Sequence, residues 1–211
     1  MSSVDILLNQ GLSELPVKLS PTTQQQLIHY LELLVQWNQV YNLTAIREIK
    51  EMVPKHVLDS LAILPYLQGT TILDVGTGAG IPGLILALAS PQWHYILIDK
   101  NAKKVRFIRQ AIIELNLTHV EVIPTRIEVF KPPYFFNSII SRAYSSLALF
   151  YQQTIALCAN DGCLFAMKGN YPASEIKVLA QNPVHLECFP LQVPQMMAQR
   201  HLVKITRCLN D

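Results

Sequence analysis

The stretch Leu73-Asp74-Val75-Gly76-Thr77-Gly78-Ala79-Gly80-Ile81-Pro82-Gly83 carries the densest chemical signal in the chain. It follows a short apolar run, Ile72–Val75, and precedes a helical pattern from Gly83 to Ser90. Glycines at such a junction let the backbone turn sharply, and a ligand can reach main-chain N–H groups with no Cβ in the way. Asp99, 23 residues beyond Gly76, closes the next strand-like run, Tyr95–Asp99. A carboxylate there can accept hydrogen bonds from a ribose hydroxyl pair. The two features point to a nucleoside-bearing ligand at the carboxyl ends of parallel strands. Arg142, in Ser141-Arg142-Ala143-Tyr144 after the fourth strand, could hold a carboxylate or a phosphate.

Two frames fit the glycine loop. Gly78-Ala79-Gly80-Ile81-Pro82-Gly83 matches the dinucleotide pattern G-x-G-x-x-G. The longer frame, Asp74 followed by Gly76, Gly78 and Gly80, resembles the first motif of S-adenosylmethionine methyltransferases. Asp99 suits either. In methyltransferases the edge after the third strand holds adenine through a backbone N–H and an acidic side chain, and Ile127 and Glu128 match in type and place. Pro132-Pro133-Tyr134 resembles the motif of enzymes that methylate exocyclic amines, but it precedes the fourth strand and no Asn or Asp comes before it.

These residues need a framework to converge. The first seventy residues read as helical, with Leu27, Tyr30, Leu31 and Leu34 near 3.6-residue spacing in a helix over 24–41, behind Ser20-Pro21-Thr22. A second helix is expected over 54–67. From Thr71 onward, strands at 72–75, 95–99, 120–123, 138–141 and 162–168 alternate with helices at 83–90, 102–116, 146–158 and 173–181. Strand followed by helix, repeated, implies a doubly wound, Rossmann-like α/β sheet with parallel strands. The last two strands, 185–191 and 201–208, have no helix between them and fit an antiparallel end. Residues 1–70 are expected to form a helical extension packed on a cofactor-binding core of 71–211.

Of 211 residues, 50% are apolar and 15% charged, which argues against disorder. No apolar run is long enough to span a bilayer, so no membrane partner is expected. The start Met-Ser-Ser-Val-Asp lacks the basic region of a secretory signal. The four cysteines, at 158, 163, 188 and 208, show no C-x-x-C spacing. They are expected to be free thiols in the cytoplasm, with no metal. Residues 1–70 carry four Lys or Arg against six Asp or Glu, whereas residues 71–211 carry thirteen against nine. That asymmetry permits a polyanionic partner.

Taken together, the chain resembles the bacterial small-subunit ribosomal RNA methyltransferase G family, also called glucose-inhibited division protein B, a class I methyltransferase family. The matching segments run in order from Trp37-Asn38 and Asn42-Leu43-Thr44 through His56-Val57-Leu58-Asp59-Ser60 and the glycine loop. They continue with Arg106-Phe107, Arg126-Ile127-Glu128, Ser141-Arg142-Ala143, Lys168-Gly169 and Arg200-His201-Leu202-Val203. The resemblance implies methyl transfer from S-adenosyl-L-methionine to N-7 of a guanine in the 530 loop of 16S rRNA, as naked RNA or in the small ribosomal subunit. It implies cofactor contacts at Gly76, Ile81, Ile127, Glu128 and Arg142, joined by Gly78, Gly80 and Asp99 on the loop and ribose argument. It implies that Arg126 and Arg200, and with them Lys168, face RNA. Lys168 reads equally as a solvated charge, and Arg200 as a charge that discourages strand pairing. Trp37 and Tyr41 read as a packed aromatic pair. Family members often carry Gly-Ile-Pro-Leu where this chain has Gly83-Leu84-Ile85-Leu86, and Phe where it has Tyr144. No catalytic acid or base stands out, and the sequence sets no oligomeric state. Rival readings are a same-fold methyltransferase for a small molecule or protein, an NAD(P) dehydrogenase, and a non-catalytic ribosome-assembly factor.

Overall fold

The computed structural model describes residues 2–208. Helix α1 (Ser3–Ser13) starts in a capping box, with Ser2 Oγ accepting from the Asp5 N–H. Helix α2 (Pro21–Tyr41) begins three residues earlier than its apolar spacing suggests. Ser20 Oγ accepts from the Thr23 N–H at 3.1 Å, and Pro21 at the first position gives up no hydrogen bond. It ends at Asn42, whose φ of 49° turns the chain left-handed.

The single helix expected over 54–67 is instead broken. A short α3 (Ile49–Met52) widens into a π-helical turn (Val53–Leu58), passes into α4 (Asp59–Leu61), and is followed by a 3₁₀ turn (Leu64–Tyr66). Pro54 and Pro65 supply no N–H and so cannot extend a regular ladder. The widened turn brings both His56 and Asp59 inward, each 2% exposed.

The sheet comprises β1 (Thr71–Val75), β2 (His94–Asp99), β3 (Val120–Pro124), β4 (Phe136–Arg142), β5 (Cys158–Lys168), β6 (Val184–Leu191) and β7 (Arg200–Arg207). Their order is β3-β2-β1-β4-β5-β7-β6, and β7 is antiparallel to both neighbours while the remaining pairs are parallel. The order reverses between β1 and β4, and ligands of such sheets bind beyond the strand ends at that crevice. Helices α5 (Gly83–Ala89) and α6 (Ala102–Glu114) follow β1 and β2, and α7 (Leu147–Thr154) and α8 (Ala173–Leu179) flank β5. Strand β5 begins four residues earlier than expected, where the β4 register shifts between Phe136 and Ser138. Helix α7 is correspondingly shorter.

Strand alternation divides the core. Ile72 and Leu97 pack with Leu27, Tyr30 and Leu34 of α2, Leu84 of α5 and Phe107 of α6. Leu73, Ile96 and Leu164 face the other way, onto Leu147 and Phe150 of α7 and Leu179 of α8.

Candidate active site

A cavity of about 320 Å³ opens beyond the ends of β1, β2 and β3. Val75 and Gly76, where the glycine loop begins, line it, and Gly76 and Thr77 strap that loop to β2 by donating N–H bonds to Ile98 O at 2.9 and 3.1 Å. Gly76 adopts φ +71°, and a Cβ there would lie 2.9 Å from the Tyr144 ring. The position therefore demands glycine twice over, by conformation and by space.

Asp74 ties the loop to α5. Its Oδ2 accepts from Thr77 Oγ1 at 2.6 Å and from the Gly83 N–H at 2.9 Å, while Oδ1 is buried with no partner. A Cβ on Gly83 would lie 2.7 Å from that same Oδ2, so the close approach requires glycine. Burial pushes the Asp74 carboxyl up to about 6, against the pull of these two donors. From α2, Tyr30 reaches under the loop and donates to Ala79 O at 2.8 Å. Sequence periodicity marked Tyr30 only as core.

Asp99 stands at the end of β2 with both oxygens oriented by the backbone. Gly78 N–H donates to Oδ2 at 3.0 Å and Asn101 N–H to Oδ1 at 2.8 Å. Each oxygen keeps a further lone pair for a ligand hydroxyl. On the opposite wall Ile127 is buried, and Glu128 is held by a short chain. Gln153 Nε2 donates to Glu128 Oε1 at 2.9 Å, and Tyr144 Oη donates to Gln153 Oε1 at 2.7 Å. Nothing in the sequence pointed to Gln153. Asn101 could have been found as the cap of α6, since its Oδ1 accepts from the Lys103 and Lys104 N–H groups.

Gly76, Asp99, Ile127, Glu128 and Arg126 thus line one cavity. Gly78 sits at its lip through Asp99. Gly80 and Ile81 lie deeper, where a Cβ on Gly80 would meet Leu84 at 2.5 Å and Ile81 packs into the core. Arg142 lines a second cavity of about 370 Å³, together with Asp59, Ala143, Met167, Lys168, Gly169 and Arg200. Ala143, at φ 54°, borders both spaces. They are neighbouring chambers on either side of the turn after β4.

The second chamber is organised by Asp59, which the sequence marks only as part of a segment that matches the family. Its side chain is 3% exposed, with Arg142 Nη1 at 3.3 Å from Oδ2 and Arg200 Nε at 3.1 Å from Oδ1. Arg142 also donates to Lys55 O at 3.0 Å. Burial raises the Asp59 carboxyl above the ordinary carboxylate range while the two guanidinium groups pull it back. His56, beside Arg142 and 3.1 Å from Thr44 Oγ1, is driven down to about 4 by burial and by that positive charge, so its ring is neutral at pH 7. Lys168 pairs with Glu175 at 2.9 Å and donates to Ser145 O at 2.9 Å. Arg200 and Lys168, expected to face RNA, therefore each have an internal carboxylate partner.

Burial pushes the Cys158 thiol up to about 12, and Cys158 begins β5, the opposite end of that strand from Lys168 and the chambers. Among the described residues no cluster of His, Cys, Asp or Glu is placed to hold a metal ion.

The model of one protein family, described as rRNA small subunit methyltransferase G, matches residues 23–203. The chain belongs to that family. The matched span runs from α2 into β7 and takes in Tyr30, Asp59 and both chambers. A relative from Nitrosococcus oceani named ribosomal RNA small subunit methyltransferase G is 48% identical over 199 residues, covering 94% of this chain and 93% of its own. One of the same name from Laribacter hongkongensis is 48% identical over 198 residues, covering 94% and 96%. Among solved structures, a SAM-dependent methyltransferase from Aquifex aeolicus superposes with a TM-score of 0.56 at 17% identity, covering 74% of this chain and 92% of that one. That likeness establishes the class I methyltransferase fold. The first chamber fits the cofactor of this class, S-adenosylmethionine. It offers an oriented carboxylate for ribose hydroxyls at Asp99, a loop cleared of side chain at Gly76, and an apolar wall ending in a carboxylate at Ile127 and Glu128.

Proposed function

We propose that this protein transfers a methyl group from S-adenosylmethionine to ring N-7 of a guanine in small-subunit ribosomal RNA, in the 530 loop. The observation that carries this reading is the pair of chambers meeting at Ala143, one suited to a nucleoside cofactor and the other lined by guanidinium groups. Residues 71–211 form the cofactor-binding core in this reading, and residues 1–70 are an extension that supplies Tyr30 and Asp59.

When bound, the cofactor supplies an electrophilic methyl group on a positively charged sulfur. Asp99 would hold the ribose, Ile127 and Glu128 the adenine, and the turn at Gly76 and Gly78 the amino-acid end. Arg142 and Arg200, which line the second chamber, would donate to the O6 edge or phosphate of a guanine nucleotide entering it. N-7 carries a free lone pair and has no proton to lose before attack. Orientation and exclusion of water are then the protein's main tasks. This agrees with a site in which His56 is buried and neutral and Asp59 is fully engaged.

The test is transfer of isotope-labelled methyl groups by the purified protein. Label is expected to enter small-subunit RNA, supplied naked or as the assembled subunit. Label entering only proteins or small molecules would replace this reading with that of another acceptor.

A further inference from the structure

A third space, about 660 Å³ and larger than either chamber, lies along the outward face of α6 against the end of α2. It is lined by Lys103, Arg106, Arg109 and Gln110, with Tyr41 and Ile113 among its walls. The helix is strongly two-sided. Val105, Phe107, Ile108 and Ala111 are buried beneath, while Lys103, Arg106 and Arg109 are exposed on one stripe. Three more cations, Lys100, Lys104 and Arg126, line the neighbouring cofactor chamber. Among the described residues none of these six has a carboxylate within 4 Å, whereas Arg142, Arg200, Lys168, Lys55 and Lys204 all do. Six of the chain's seventeen Lys and Arg side chains therefore fall within residues 100–126, none with a carboxylate within 4 Å among the described residues, and each lines this space or the cofactor chamber.

We propose that the outward stripe of α6, with Tyr41, is the track on which single-stranded RNA next to the target guanine lies. The assignment rests on the ribosomal RNA reading above and adds the path of the strand to it. Three facts select RNA as the occupant. Uncompensated cations along a helix favour a polyanion, with the phosphate backbone supplying the matching charge. The row borders the cofactor chamber, which Lys104 and Arg126 line, so a strand on it lies beside the carboxyl ends of β2 and β3. Tyr41 stacks on Trp37 with ring centroids 5.4 Å apart and is itself half-buried, which fixes a ring on the groove wall against which a base can stack. Cations combined with an aromatic platform are how proteins hold single strands with little regard for sequence. A helical duplex offers no unstacked base to such a ring.

The test compares two triple variants of the full chain. One is Lys103→Ala, Arg106→Ala, Arg109→Ala. The other removes the same charge from exposed positions elsewhere, Lys18→Ala, Lys50→Ala, Lys177→Ala. Binding to a 16S rRNA transcript and to the assembled small subunit is measured across salt concentrations, together with KM, kcat and calorimetric cofactor affinity. The α6 variant is expected to lower the slope of log affinity against log salt by about 2, for three lost phosphate contacts at roughly 0.7 each. Its KM for RNA should rise about tenfold or more, with kcat within about twofold and cofactor affinity unchanged. The control should stay near wild type. Tyr41→Leu should weaken RNA binding without altering the salt slope. Equal losses in both triples, or an unchanged slope and KM in the α6 variant, overturn the track. A wild-type protein that methylates no small-subunit RNA in either form overturns the functional reading beneath it instead.

Discussion

The two chambers hold similar side chains in opposite electrostatic states. Around the first, Lys100, Lys104 and Arg126 stand without a carboxylate within 4 Å among the described residues, and the ordered hydrogen bonds come mainly from backbone N–H groups aimed at Asp99 and Asp74. Around the second, Arg142 and Arg200 share the buried Asp59, and Lys168 is held by Glu175. The difference separates two kinds of pre-organisation. The first chamber is shaped by chain conformation and leaves its cations without a carboxylate partner among the described residues. The second is shaped by charges that fix one another, so its guanidinium groups enter binding already oriented. A free surface charge mainly sets attraction and salt dependence, whereas a paired, half-buried one sets geometry.

The strongest break of this contrast is on the conformational side. Gly76→Val introduces a branched side chain at φ +71° and into the Tyr144 ring, and is expected to reduce cofactor binding at least about a hundredfold by calorimetry. Near-native affinity would mean that the loop does not approach the cofactor. On the electrostatic side, Asp59→Asn leaves two partly buried guanidinium groups short of their counter-charge. A loss of about 2–4 kcal/mol in denaturant unfolding is expected, with cofactor affinity in the folded fraction within about threefold of wild type. Loss of cofactor binding to the same degree as in Gly76→Val would show that the chambers are not separable.

His56 sharpens the second chamber through pH. Its pKa in the fold, about 4, lies below the ordinary value of 6.5, so the unfolded chain takes up a proton that the folded chain refuses. Stability from this residue is therefore full above about pH 6.5 and is lost as pH falls toward 4. Asp74 acts oppositely, because its raised carboxyl binds a proton in the fold first as pH drops below about 6. His56→Gln should remove about 1–2 kcal/mol of the acid loss between pH 7 and 5. Parallel melting-temperature profiles for variant and wild type would contradict the buried neutral ring. The smallest effect belongs to Gln153→Ala, which cuts the chain from Tyr144 to Glu128. Cofactor binding should weaken by about 0.5–1.5 kcal/mol, roughly two- to tenfold, with stability little changed. An unchanged affinity would place Glu128 outside the adenine wall.

The first chamber was largely legible in the sequence because its determinants are local. A glycine-rich turn between a strand and a helix, and an acidic residue at the next strand end, are set by spacing, and Gly76 and Asp99 line one cavity accordingly, together with Ile127 and Glu128, which only the resemblance to methyltransferases singles out. The second chamber was not, because it is made across distance. Asp59 meets Arg142 over 83 positions and Arg200 over 141, and no periodicity encodes such pairings. For the same reason the carboxylate partners of Arg200 and Lys168, Asp59 and Glu175, were not legible beside the RNA role the resemblance implies for them. The helix expected over 54–67 failed at its prolines, and that failure creates the wide turn that carries His56 and Asp59 inward. The parallel sheet and its antiparallel end followed from the alternation of strands and helices and from the missing helix between β6 and β7.

The most direct test of the two-chamber account is mass spectrometry of nucleosides from small-subunit RNA treated with the purified protein and S-adenosylmethionine. The expected product is 7-methylguanosine at a single guanine, absent from reactions with Gly76→Val. A methyl group found on a base carbon, an exocyclic amine or a ribose hydroxyl would contradict it, because each of those acceptors needs a nucleophile or base, and Asp59 and Lys168 of the second chamber are both held in ion pairs.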